Sequence, residues 1–142
     1  MGLSRRKARV VAFKALFQID QVQAEAQQAL SYLYQEDELQ AEKDQLFASE
    51  LAQGAIRHLA AIDEAISRFS RDWDLSRMSA IDRNIMRLAG YEILFMEPSE
   101  PVVAIDEAVE IAKRYGDENS PGFINAILDK ILGEKYGIVP RT

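Results

Sequence analysis

The sequence predicts an all-α protein, and three observations carry that expectation. Apolar residues recur at steps of three and four along most of the chain. No stretch alternates apolar and polar residues as a half-buried strand would. All four prolines, Pro98, Pro101, Pro121 and Pro140, fall where the periodic pattern breaks. Residues 1–142 are expected to form one compact bundle of six or seven helices, without an internal repeat or a low-complexity tract. A chain of roughly 150 residues buries about 70% of the surface its unfolded form exposes, so no cross-link is needed to hold it.

Each element has its own signal. Ser4 is a good N-cap, and the first helix is expected to run from it to about Val22. A second helix covers roughly Ala24 to Asp37. A long third segment runs from about Glu42 to Arg71, where Phe47, Leu51, Ala55, Leu59, Ile62, Ile66 and Phe69 form a one-sided apolar stripe. Ser79 followed by Asp82 resembles a capping box, with Asp in place of the usual Glu. The helix it opens runs to about Met96 and is apolar around most of its circumference, from Ile81 through Ile85, Met86, Leu88 and Tyr91 to Phe95, which marks a central helix. Gly54 and Gly90 lie inside helices, where each costs about 1 kcal/mol relative to Ala; close helix crossing explains them. From Val102 to Tyr115 the wheel is two-sided, with Ala104, Ile105, Ala108, Ile111, Ala112 and Tyr115 inward and Asp106, Glu107, Glu110, Lys113 and Arg114 outward. Gly116 is placed to end it. Ser120 then Pro121 reads as an N-cap with proline at N1, opening the last helix.

Composition removes much chemistry. With no Cys there is no thiolate nucleophile, disulfide or Cys-ligated metal, and the one His, His58, has no ligand-spaced companion. There is no phosphate-cradling glycine loop, and no Ser-His-Asp arrangement is identifiable. Asp106, Glu107 and Glu110 share their face with Lys113 and Arg114, which reads as a solvated ion-pair face rather than a carboxylate centre. Glu92 projects from the apolar central helix and requires a buried partner. The expectation is a non-enzyme without cofactor or metal. No run approaches the roughly 20 apolar residues a membrane span needs. The basic-then-apolar N-terminus is interrupted by Lys14 and lacks a cleavage pattern, so the chain is expected to be cytoplasmic.

The net charge of −6 argues against a nucleic-acid partner until it is divided. Residues 1–19 carry Arg5, Arg6, Lys7, Arg9 and Lys14 and no acid, for +5; the remainder carries −11. A ligand meets such a patch locally, not as an average. On a helical wheel Ala8, Val11, Ala12, Ala15, Leu16, Ile19 and Val22 form the core arc of the first helix. Val10, Phe13 and Phe17 lie outside it beside Arg6, with Arg9 and Lys14 flanking. Cations neutralise phosphates, and aromatic faces stack unpaired bases at roughly 1–3 kcal/mol per base, so this sector suits single-stranded RNA. Equally, Phe13 and Phe17 at i and i+4 fit a core, and a basic cluster fits a solvated helix end. The four cations near the start of the helix oppose its dipole, a local cost that a bound anion would offset.

Three segments then identify a relationship. SRRKARVVAFKALFQID near the N-terminus, IDRNIMRLAGYEIL at 81–94 and VVAIDEAVEIAKRYGDENSPGFINAILDKIL at 102–132 resemble the bacterial transcription antitermination factor NusB family. The order and spacing match over essentially the whole chain, with residues 20–78 similar mainly in helix pattern. The resemblance implies two packed helical subdomains and a non-enzymatic role. It implies binding of boxA-type RNA together with the ribosomal protein NusE. It also implies assembly with other Nus factors on RNA polymerase, notably in ribosomal RNA operons. The family's arginine-rich motif falls on Arg5, Arg6, Lys7 and Arg9, and its aromatic contact on Phe17. The loop Asp117, Glu118, Asn119, Ser120 contributes, and Asp82 matches a position close to the RNA path. The RNA-binding set expected is therefore Arg5, Arg6, Lys7, Arg9, Phe13, Lys14, Phe17, Asp82, Asn119 and Ser120. Asn119 stands where an acid is frequent, Gly122 where a base often lies, and Asp106 where Asn is usual. A protein-binding helical scaffold without specific RNA recognition is the alternative. Free of RNA, the protein is expected to be a monomer or a homodimer.

Overall fold

The computed structural model describes residues 2–70 and 74–137, with side chains from residue 5 onward. Seven α-helices follow one another: α1 Gly2–Val22, α2 Ala26–Glu36, α3 Glu42–Arg57, α4 Leu59–Phe69, α5 Ala80–Leu94, α6 Pro101–Tyr115 and α7 Ser120–Tyr136, with a 3-10 turn at Leu75–Arg77. The described residues contain no strand, and no helix among them is long and apolar enough to cross a membrane. Helices α1, α2 and α3 pack on one another, and α4, α6 and α7 gather round α5. α5 also meets α1 and α3, so it joins the two groups. Its Ile85, Met86, Leu88, Ala89, Tyr91 and Ile93 are all buried, as expected of a helix apolar nearly all round.

α1 departs from its predicted face. It starts at Gly2, so Ser4 lies inside it rather than capping it. Ala8, Val11, Ala12, Ala15 and Leu16 are buried as expected, but Val10 and Phe13 are buried too, while Val22 is exposed. The reason is tertiary: α1 is sandwiched between α2 and α3 on one side and α5 and α6 on the other, so it buries two faces.

The long third segment is two helices meeting at His58, whose backbone bends at φ −110° and ψ 23°. Backbone bonds from His58 to Gly54 and from Ile62 to His58 carry the helical pattern through the bend, which is why the apolar stripe continues across it. The His58 ring stacks on Phe95 with centroids 4.0 Å apart, an aromatic contact and not a ligand site. The predicted end at Arg71 lies outside the described residues.

Gly54 and Gly90 both sit at crossings. A Cβ on Gly54 would run into the Tyr91 ring, and one on Gly90 would stand 3.0 Å from Ile62 Cγ2. The α5 cap follows the prediction in half: Ser79 Oγ accepts from the Asp82 backbone N–H at 3.0 Å. That helix ends at Leu94, two residues before the predicted Met96. At α7 the N-cap is Asn119 and Ser120 is already helical. Asp117 does the capping work there, its Oδ1 accepting from the backbone N–H groups of Asn119 at 2.8 Å and Ser120 at 3.1 Å.

Two ion networks tie the groups together. Arg9 on α1 and Glu92 on α5 form a two-pronged buried pair, both bonds 2.9 Å. Lower on α1, Asp20 Oδ2 accepts from Arg83 Nε at 3.0 Å and Nη2 at 2.7 Å and from Asn84 Nδ2 at 2.9 Å. Arg87 in turn clasps Asp63 of α4 at 2.9 Å.

Candidate nucleic-acid interface

Three shallow clefts follow one another across α1, α5, α6 and the turn before α7. The first, about 380 Å³, lies between Arg6, Lys7 and Lys14 of α1 and Arg114 and Tyr115 of α6. The second, about 280 Å³, keeps Lys14 and Tyr115 as walls and adds Phe13, Phe17 and Ile81. Ile81 precedes Asp82, which lines the third, about 310 Å³, with Arg77, Asp117, Asn119 and Phe123. The first two clefts thus share Lys14 and Tyr115, and the third begins at the next residue of α5, so the three form a series from the basic end of α1 to the start of α7.

Along this path the expected residues separate into two sets. Arg6, Lys7, Lys14, Phe17, Asp82 and Asn119 are brought together on it. Phe17 is half-buried with part of its ring toward the second cleft. Four others are placed differently. Phe13 is only 3% exposed and packs on Tyr115 and Phe17, with centroids 5.5 and 6.4 Å away, so it supports the neighbouring rings instead of offering a face for stacking. Arg9 is only 7% exposed and paired with Glu92, so in this structure its guanidinium ties α1 to α5. Ser120 is buried, its Oγ accepting from the Asp117 N–H at 3.1 Å. Arg5 is exposed but turns toward α3, its guanidinium 4.0 Å from the Phe47 ring centre, in an adjoining cleft of about 1050 Å³ that Arg6 and Lys43 also line.

The cations that remain on the path are largely partnered. Arg6 donates from Nε and Nη2 to the two Glu107 oxygens, both at 2.9 Å. Lys14 Nζ bonds Asp37 at 2.9 Å, and Lys7 Nζ donates to the Glu38 carbonyl at 3.3 Å. The hydrogen bonds and charge of Arg6 hold the Glu107 carboxyl below its ordinary range, against partial burial. Charge unfavourable to the α1 dipole is therefore offset by Asp37 just after α2, Glu92 of α5 and Glu107 of α6. Asp82 is opposite in sign: burial and the nearby Asp117 charge push its carboxyl up, against hydrogen bonds from Ser120 and Ser79. Its Oδ1 is buried without a hydrogen-bond partner.

Sequence reasoning passed over Arg77, Arg114 and Tyr115. Tyr115 is half-buried, with one edge in the core and one wall of the path, so its place in the apolar stripe hid its second role. The usable signal was the adjacent Arg114–Tyr115 pair closing a helix, a cation beside an aromatic. No group of three or more His, Cys, Asp or Glu residues able to hold a metal occurs among the described residues.

The described residues form a helical bundle joined by a central helix, with cationic and aromatic side chains lining clefts on its surface. The NusB family model matches residues 6–133, and the chain belongs to that family. It is 62% identical to the Transcription antitermination protein NusB of Syntrophomonas wolfei, over 95% of this chain and 100% of that one. Among solved structures it resembles T. maritima NusB, with TM-score 0.83 and 42% identity over 94% of this chain and 97% of that one. It also resembles a crystal structure of antitermination factors NusB and NusE in complex with dsRNA, with TM-score 0.86 and 26% identity over 94% of this chain and 99% of that one. The protein is thus a NusB-type antitermination factor and not an enzyme.

Proposed function

We propose that residues 1–142 act as one RNA-binding helical domain that takes boxA-type single-stranded RNA together with ribosomal protein NusE. In this reading the pair joins other Nus factors and RNA polymerase in the cytoplasm, notably on ribosomal RNA operons. The observation that carries the RNA part is the series of clefts lined by Arg6, Lys7, Lys14, Phe17, Tyr115, Asp82 and Asn119. It joins cations for phosphates to rings and polar groups for bases, which is what unpaired RNA requires. The related structure of NusB and NusE in complex with dsRNA supports RNA and NusE as partners; the single-stranded form rests on the path itself. The acidic remainder of the chain suits a basic partner protein, since complementary charge speeds encounter.

The test is titration of a short boxA-type RNA at several salt concentrations, with and without NusE. Neutralising four phosphates gives a log–log slope of roughly −3, from about −0.7 per phosphate of a single strand. Scrambled RNA and a duplex of the same sequence should bind more weakly when NusE is present. A flat slope, or equal binding of the scrambled RNA, refutes specific recognition and leaves a protein-binding scaffold.

A further inference from the structure

The cations bordering the first cleft differ in what occupies them. Arg6 and Lys14 each have a carboxylate at 2.9 Å, and an incoming phosphate must displace it. Arg114 is exposed and forms no ion pair among the described residues. It lines two adjoining clefts beside Arg6, one shared with Lys7 and Lys14 and one running along α6 past Glu110. Its guanidinium carbon rests 5.0 Å from the centre of the Tyr115 ring, the same ring that has Lys14 Nζ at 5.8 Å. That ring is in turn packed on buried Phe13. A guanidinium held over an aromatic ring that the core holds still is partly pre-oriented, and less freedom is lost when it forms a two-pronged bond to a phosphate. Arg114 also stands in the last turn of α6, where the helix dipole favours a cation, so its charge is tolerated there without a neutralising acid.

Resting on the RNA reading above, we propose that Arg114 is a phosphate-anchoring residue of this surface. It is open in the free protein, whereas Arg6 and Lys14 engage only after Glu107 and Asp37 give way. The chemistry recognised is a phosphodiester of the RNA backbone, and the base sequence plays no part at this position. The basic path therefore has two walls, one from α1 and one from the end of α6.

The experiment compares wild type, Arg114→Ala, Arg114→Lys and Lys130→Ala in the boxA-type RNA titration, from 0.15 to about 1 M salt. Lys130 is an exposed lysine on α7 that lines none of these clefts. Loss of one phosphate contact makes the log–log slope shallower by about 0.7. Scaled from 1 M to 0.15 M, that is a roughly fourfold loss of affinity for Arg114→Ala. Arg114→Lys should keep the slope, Lys130→Ala should match wild type, and thermal unfolding of Arg114→Ala should match wild type because the side chain is exposed. Arg114→Ala with the wild-type slope overturns the proposal, even if affinity falls. A wild type with no salt-dependent binding instead removes the RNA reading itself, and this proposal with it.

Discussion

Replacing Glu92 with alanine leaves the Arg9 guanidinium buried with its two-pronged partner gone. The side chains of Arg9 and Glu92 are 8% and 6% exposed, so neither is rescued by water where it stands. Breaking such a pair from one side typically costs about 3–5 kcal/mol, because an uncompensated charge remains in the interior. That is a large share of the roughly 5–15 kcal/mol that holds a domain of this kind folded. With a urea dependence of about 2 kcal/mol per molar, the unfolding midpoint of Glu92→Ala should fall by roughly 1.5–2.5 M. Arg9→Met combined with Glu92→Leu removes both charges and keeps the volume. That double variant should return to within about 1 kcal/mol of wild type or exceed it. Urea unfolding followed by far-ultraviolet circular dichroism reads both. A Glu92→Ala loss below about 1 kcal/mol would refute the claim that this pair is a desolvated tie between α1 and α5. The double variant also tests function: it should keep the wild-type salt dependence of RNA binding. A slope shallower by about 0.7 would show that Arg9 does reach a phosphate.

Three further outcomes follow from the same coordinates. Phe17→Ala should weaken RNA binding, by the roughly 1–3 kcal/mol of one stacked base, with an unchanged salt slope, whereas Phe13→Ala should destabilise the fold by about 3–5 kcal/mol; chemical denaturation and RNA titration on both variants separate the roles, and reversed results would exchange them. Burial raises the Asp20 carboxyl, but hydrogen bonds from Arg83 and Asn84 and the charges of Arg83 and Arg87 outweigh it, so its folded value lies below the unfolded one. Its ionised form therefore stabilises the fold above about pH 4, and that contribution fades as pH falls through the lowered value. Asp20→Asn should cost about 1–3 kcal/mol at pH 7, and its deficit should shrink in acid; a deficit unchanged at about pH 3 contradicts the ion-pair account. Gly54→Ala should lose about 1–3 kcal/mol or more despite the better helix propensity of alanine, because the added methyl meets the Tyr91 ring; a stabilised variant in a thermal melt would show that α3 and α5 separate freely.

Much of the fold was legible because helix formation is a local matter. Periodicity located the helical segments, with α3 and α4 read as one, Ser79 marked the start of α5, and Gly54 and Gly90 pointed to crossings that Tyr91 and Ile62 fill. The bend at His58 was not legible, since the apolar stripe keeps its period across it. The candidate interface was legible in its composition but not in its membership. Phe13 and Phe17 look alike on a wheel, yet only Phe17 has ring surface to spare, because Tyr115 arrives from α6 and covers Phe13.

The amino-acid order alone determined an all-helical chain without thiol or multi-histidine chemistry, with +5 at one end and an acidic remainder. Those properties follow from side-chain identity and near-neighbour spacing, which no later packing alters. Which cations stay available was decided by packing. Arg6 and Arg9 stand three residues apart in one basic cluster, but their partners Glu107 and Glu92 lie 101 and 83 residues away. One pair forms at the surface, where water and ions can compete for it. The other forms between helices, where the same attraction acts in a dry setting and becomes part of the core.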